Sequence, residues 1–177
     1  TRSDRRAMHR FVAAFDRLLA LLAALAMVAA FVCVSLGVIA RLAAWDLPGL
    51  DAYAGYAIAA ALFLALPQTL RRQEHIRVTL LMDRLGPRAR AVLEWWSLLA
   101  GFALAVYMAI YAVRLVWVSH GMHDVSPAAD ATPLWIPQIA MALGCIGFAL
   151  SLADAILSRW SGATYFQRVG PEASHVE

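Results

Sequence analysis

The chain carries little that could do chemistry. Among 177 residues there are two cysteines and five histidines, only 15% are charged, and all fifteen cationic side chains are arginine, with no lysine. Each scarcity excludes something. Cys33 and Cys145 each fall near the middle of a long apolar run with no further ligands at matched depth, so a buried apolar role is expected and neither a disulfide nor a metal site is indicated. His9, His75, His120, His123 and His175 all lie outside the apolar runs, which leaves a haem anchor without its paired intramembrane ligands. The runs also hold no charge at mid-depth, where a self-sufficient ion-coupled carrier needs ionisable or unwound elements. No catalytic residue, cofactor site or metal site is expected. His120, His123 and Asp124 make only an incomplete ligand set, read as part of a solvated link.

What the chain does have is hydrophobicity in blocks. A 62% apolar composition is too high for an ordinary soluble domain and indicates an integral membrane protein. The formal net charge of +3 invites a nucleic-acid reading. Its distribution argues against one, because the arginines flank apolar runs and no aromatic-basic motif accompanies them.

Taken in order, the blocks predict an all-α membrane fold of four transmembrane helices in two hairpins. Arg2, Arg5, Arg6, Arg10 and Arg17 precede an uncharged run at 18–40, the first span. That run is too long for a signal peptide, whose apolar region is about 7 to 15 residues. A short polar link, Arg41 to Asp51 with Trp45 and Asp46, leads to a second span at 52–70. There Pro67 frees a carbonyl that Gln68 or Thr69 can help to satisfy. Residues 71–90 form a cationic interlude in which Val78, Leu81, Met82 and Leu85 repeat at helical spacing, so a short amphipathic helix at 74–85 is expected to lie along the membrane surface. Gly86-Pro87 ends it. A third span at 92–118 carries Arg114 about a turn from its far surface, and a second link at 119–130 follows. A fourth span at 133–157 has two candidate starts, Thr132-Pro133 and Pro137, and a polar tail at 160–177 completes the chain.

Two tallies orient this map. With both termini in the cytoplasm, the N-terminal arm, the interlude and the tail carry 5, 6 and 2 arginines, and only Arg41 and Arg114 fall toward the other side. That is the bias expected of cytoplasmic loops. Trp45, Trp95, Trp96, Trp117, Trp135 and Trp160 all fall at expected helix ends, where amphipathic rings prefer to sit. Arg71, Arg72, Glu74, His75, Arg77, Arg84, Arg88 and Arg90 are therefore the residues expected to fix topology at the inner surface. Candidates for contact with other proteins are Arg41, Trp45, Asp46, Asp51, Arg114, His120, His123 and Asp124. To these are added Gly101, Gly144 and Gly147, from the small-residue stripes Gly55-Ala59, Ser97-Gly101-Ala105, Ala140-Gly144 and Gly147-Ser151 that let helices approach in lipid. Arg114 has two readings, snorkelling to the outer headgroups or pairing with Asp46, Asp51, Asp124 or a carboxylate on another protein.

The succession of a basic arm, a first hairpin, RRQEHIRVTLLMDRLGPRAR at 71–90, a long third helix and TPLWIPQIAMALGCIGFAL at 132–150 resembles the small membrane subunit of tripartite ATP-independent periplasmic (TRAP) transporters, the DctQ-like family. The likeness covers nearly the whole chain and is carried by His75-Ile76-Arg77-Val78 and by Pro133, Trp135 and Pro137. It implies a non-catalytic permease subunit of the bacterial inner membrane. Such a subunit forms a stable complex with a large membrane subunit that holds the substrate and sodium sites, and works with a periplasmic binding protein that delivers, usually, an organic acid. Membrane lipids are the remaining partners. The different class of reading is an anchor subunit of another inner-membrane complex.

Overall fold

A computed structural model describes residues 2–71, 87–128 and 131–160, with side chains from residue 8 onward except at Arg71, Pro87, Arg88, Arg90, Ala91 and Glu94. The expected surface helix at 74–85, with Arg72, Glu74, His75, Arg77 and Arg84, lies outside those residues, as does the tail from 161. The described residues form four helices: α1 (Arg2–Leu42), α2 (Leu50–Arg71), α3 (Pro87–Met122) and α4 (Trp135–Trp160). All four are long and apolar enough to cross a membrane. Among the described residues there is no strand, only an isolated bridge between Val125 and Pro133.

The helices pack because their small residues recur at a heptad spacing. On α1, Val12, Asp16, Leu19, Ala23, Ala30, Gly37 and Ala40 are buried, with half-buried Ala26 and Cys33 completing an alternation of three and four residues. A period of 3.5 keeps one narrow seam facing a neighbour, and alanine in that seam lets backbones come close. α3 repeats the device with Leu98, Ala105, Ala109, Ala112 and Ser119. α4 occupies the crease of the bundle, packing on α3, on α2 and to a lesser extent on α1, while α1 and α3 form its flanks. It therefore needs two small-residue faces. Ala142, Cys145, Leu152 and Ala155 turn to α3, where they meet Leu98, Ala105, Ala109 and Ala112. Gly144, Gly147 and Ser151 turn to α1 and α2.

α1 is longer than its apolar run requires. Its 41 residues amount to about 61 Å, roughly twice a hydrocarbon core of about 30 Å. The basic segment read as an arm is thus the first turns of the same helix. α4 starts at Trp135, between the two expected proline starts. Pro133 is taken by the bridge to Val125, flanked by Ser126 N–H to Thr132 O at 2.8 Å and Leu134 N–H to Asp124 O at 3.0 Å. Pro137 falls in the first turn, where a missing N–H removes no helical bond.

α1 and α3 end alike. Ala44 (φ 54°) and His123 (φ 55°) are left-handed, Trp45 N–H reaches Ala40 O at 2.8 Å, and Asp124 N–H reaches Ser119 O at 3.0 Å. These are Schellman caps, whose left-handed position favours glycine. Ala44→Gly is expected to stabilise the chain by about 1 kcal/mol by relieving that conformation. A thermal unfolding midpoint in detergent that stays level or falls would contradict this.

Candidate functional site

Candidate site residues gather at the two ends of the bundle and along its outer faces. At the end bearing both links, Arg41 in the last turn of α1 and Asp51 in the first turn of α2 join across the hairpin. One guanidinium nitrogen donates to both carboxylate oxygens at 3.0 and 2.9 Å. Each charge also complements the dipole of the helix end that carries it. Both side chains are mostly exposed, so the pair adds little to stability. Trp45 and Asp46 stand exposed beside it, around a cavity of about 250 Å³ between Gly37 and Asp51.

The second link is drawn over α2. Tyr56 donates its hydroxyl to Ser126 Oγ at 2.7 Å, the same oxygen accepts from Ala128 N–H at 3.2 Å, and Thr132 Oγ1 donates to Tyr53 at 3.2 Å. Tyr53 and Tyr56 meet edge to face. This places both links at one end, as the hairpin reading requires. Tyr56→Phe is expected to cost about 1 kcal/mol and to speed amide exchange around Ser126 and Ala128. Exchange unchanged from the parent would show that the hydroxyl does not hold the link.

His120, His123 and Asp124, neighbours in sequence, have separate duties. The His120 ring lies 5.3 Å from that of Trp135, His123 supplies the left-handed cap, and the Asp124 carbonyl accepts from Leu134. Arg114 is exposed on α3. Asp51 is engaged by Arg41, and among the described residues no hydrogen bond or ion pair reaches Arg114 from within the chain.

The opposite end holds a polar cluster that sequence reasoning missed. Asp16 is 1% exposed and accepts a 2.7 Å hydrogen bond from Ser151 Oγ, itself fully buried. Two turns away His9 Nδ1 lies 2.7 Å from Asp154 Oδ2, and Asp154 is also buried. His9 and Asp16 are seven residues apart on α1, Ser151 and Asp154 three apart on α4, so two antiparallel helices are joined on facing sides. Nearby the Arg159 guanidinium lies 5.8 Å from the Trp95 ring centroid. A clue existed in sequence: Asp16 falls on the Val12-Leu19-Ala23 spacing, four residues after one apolar position and three before the next.

The glycines among the site candidates differ sharply. A Cβ on Gly144 would lie 2.2 Å from the Phe63 carbonyl oxygen, and one on Gly147 would lie 2.4 Å from Leu19 Cδ1 and 3.0 Å from Pro67 Cγ. Both are therefore used inside the chain. Phe63 is four residues before Pro67, so its carbonyl is the one the proline leaves without a helical donor. The expectation that Gln68 or Thr69 attends to it is corrected in part, since Thr69 Oγ1 donates instead to Leu66 O at 2.9 Å. The freed carbonyl faces the bare backbone of Gly144. By contrast Gly101 has only Leu152 Cδ1 near, at 4.0 Å, and Gly55 has open space.

Every helix leaves large apolar side chains outside the bundle. On α1 and α2, Met27, Val28, Ala30, Phe31, Val34 and Ile58 form an apolar groove of about 520 Å³. On α3, Trp96, Leu104, Tyr107, Ile110 and Trp117 are all more than half exposed. Among the described residues, no group of three or more metal-binding side chains is assembled.

No curated protein and no solved structure matches the chain closely enough to count as a relative. The family of tripartite ATP-independent periplasmic transporters, DctQ component, matches residues 30–162, well over half of its length. Four spanning helices in two linked hairpins, with their large apolar surfaces turned outward and this match running from the middle of α1 past the end of α4, show that the chain belongs to the DctQ component family of TRAP transporters.

Proposed function

We propose that the chain is the small permease subunit that braces the large, ion-coupled subunit of a TRAP transporter in the bacterial inner membrane and helps to dock the substrate-binding protein for uptake of an organic acid. The family match over residues 30–162 carries this reading. The packing supports it. Small residues consume the inner helix faces, whereas the outer faces carry broad apolar surface suited to a second membrane protein. The exposed first link with Trp45 and Asp46, and the tethered second link, are the surfaces offered to the binding protein. Both termini and the 71–90 interlude lie in the cytoplasm on the strength of the arginine distribution.

Coexpression with the large permease subunit of the same transporter tests the reading. Recovery of the two as one complex, with uptake that needs both and the binding protein, is expected. Isolation instead with redox subunits, or uptake by this chain alone in liposomes, would overturn it. A single cysteine at Asp124 in an otherwise cysteine-free chain should react with an impermeant maleimide from the periplasmic side, and one at Arg77 should not. The reverse pattern would invert the topology.

A further inference from the structure

The face of α3 opposite its buried seam carries three hydrogen-bonding side chains in a row. Leu98, Ala105, Ala109, Ala112 and Ser119 bury one side of the helix, and Tyr107, Tyr111 and Arg114 recur at i, i+4 and i+7 on the other. Tyr107 is 57% and Tyr111 49% exposed, and their rings meet at a tilt of 40° with centroids 4.5 Å apart. Among the described residues none of the three finds a hydrogen-bond partner in the chain.

Depth decides what this row can face. Along the helix, Tyr107 lies about 18 Å from Trp95 and about 15 Å from Trp117, rings that belong at the two interfaces. Its ring also leans toward the N-terminal end of the helix, which for Tyr107 is toward the bilayer centre. Arg114 can reach headgroups one turn away, but the Tyr107 hydroxyl cannot. A phenol aimed at acyl chains forfeits its hydrogen bonds, which is why tyrosine concentrates at interfaces. A protein surface with acceptors at matched depths resolves this.

We infer that the Tyr107-Tyr111-Arg114 face of α3 is the seam against the large permease subunit, which meets it with acceptor groups at mid-membrane and a carboxylate opposite Arg114. The inference rests on the proposed function for the partner's identity and on the α3 row for the location. A second copy of this chain is disfavoured by charge. A two-fold axis along the membrane normal would bring Arg114 against Arg114 and give three donors no new carboxylate. The rival surface for the large subunit is the apolar groove around Val28, Phe31 and Val34, which offers shape but no polar selection.

The test uses the assembled complex, so that loss of the seam and loss of the partnership are told apart. Unaltered chain must first copurify with the large subunit; if it does not, the functional reading fails and the seam against that subunit falls with it. With the complex in hand, benzoylphenylalanine at Tyr107 or Tyr111 is expected to crosslink to the large subunit on irradiation in membranes. Crosslinks from Tyr107 and Tyr111 to lipid alone or to a second copy would overturn the seam. So would capture of the large subunit from Phe31 and not from either tyrosine. Arg114→Glu is expected to lower recovery of the large subunit by about thirtyfold or more, and Arg114→Lys by much less. The thermal midpoint of the isolated chain should stay level in both variants, since Arg114 is exposed and makes no hydrogen bond or ion pair with the described residues. Full recovery of the complex with Arg114→Glu would remove the charge pair.

Discussion

Gly144→Ala is expected to be the most damaging single methyl group that can be added to this chain. Its Cβ would stand 2.2 Å from the oxygen and 2.5 Å from the carbon of the Phe63 carbonyl, distances no packed pair of atoms sustains. A flexible side chain could swing away, but the obstacle is backbone, so α2 and α4 must separate. Separation then loosens Ala142 and Cys145 against Ala109 and Ala112, because α4 serves both faces at once. Overpacking of a close-packed interior costs about 1 to 3 kcal/mol, and the upper end applies where backbone is in the way. Gly101→Ala is the matched control, with its nearest atom at 4.0 Å, and Gly55→Ala has open space. Those two are expected to be neutral or to gain up to about 1 kcal/mol, because alanine favours the helix over glycine. Thermal unfolding of the purified chain, read by the loss of its monodisperse peak, separates the cases. Equal midpoints for Gly144→Ala and Gly101→Ala would mean that α2 and α4 are not in close contact at this level.

That contact also shows why part of the fold was legible in sequence and part was not. Uncharged runs bounded by arginine and tryptophan mark where a chain leaves water, so the four helices and their pairing follow from transfer energies alone. Small residues at four-residue spacing point to close packing, and on α4 Gly144, Gly147 and Ser151 do pack closely. The same pattern at Gly55-Ala59 does not, since that side of α2 faces outward. Alanine is so frequent here that spacing cannot separate an inner seam from an outer one. What separates them is the neighbour: Gly144 is irreplaceable because Pro67 has freed a carbonyl on another helix. That relation spans 77 positions and has no periodic signature. Site residues follow the same rule. Asp51, expected among the contacts with other proteins, also pairs with Arg41 within the chain, because the hairpin brings two helix ends of opposite polarity together.

Asp16 is the opposite case, a charge outside the span expected at 18–40 that is nevertheless buried. The helix instead continues through this segment, and its heptad seam carries Asp16 inward between Val12 and Leu19. A carboxylate so enclosed must be met by donors, and Ser151 provides one at 2.7 Å. Ser151→Ala removes that donor and leaves the carboxylate in place, a loss expected to be about 2 kcal/mol. Asp16→Leu alone removes the carboxylate to which Ser151 Oγ donates and is expected to cost about 1 kcal/mol. The double substitution removes donor and acceptor together and leaves neither group stranded. It is therefore expected to recover about half of the summed single losses, a coupling of about 1.5 kcal/mol. Denaturation of the four proteins in detergent measures the cycle. Strict additivity would show that Asp16 and Ser151 do not depend on each other. A recovered double variant would show that the N-terminal turns of α1, lying before residue 30 where the family match begins, are held to α4 in part by a donor and an acceptor that depend on each other, beside the His9–Asp154 contact.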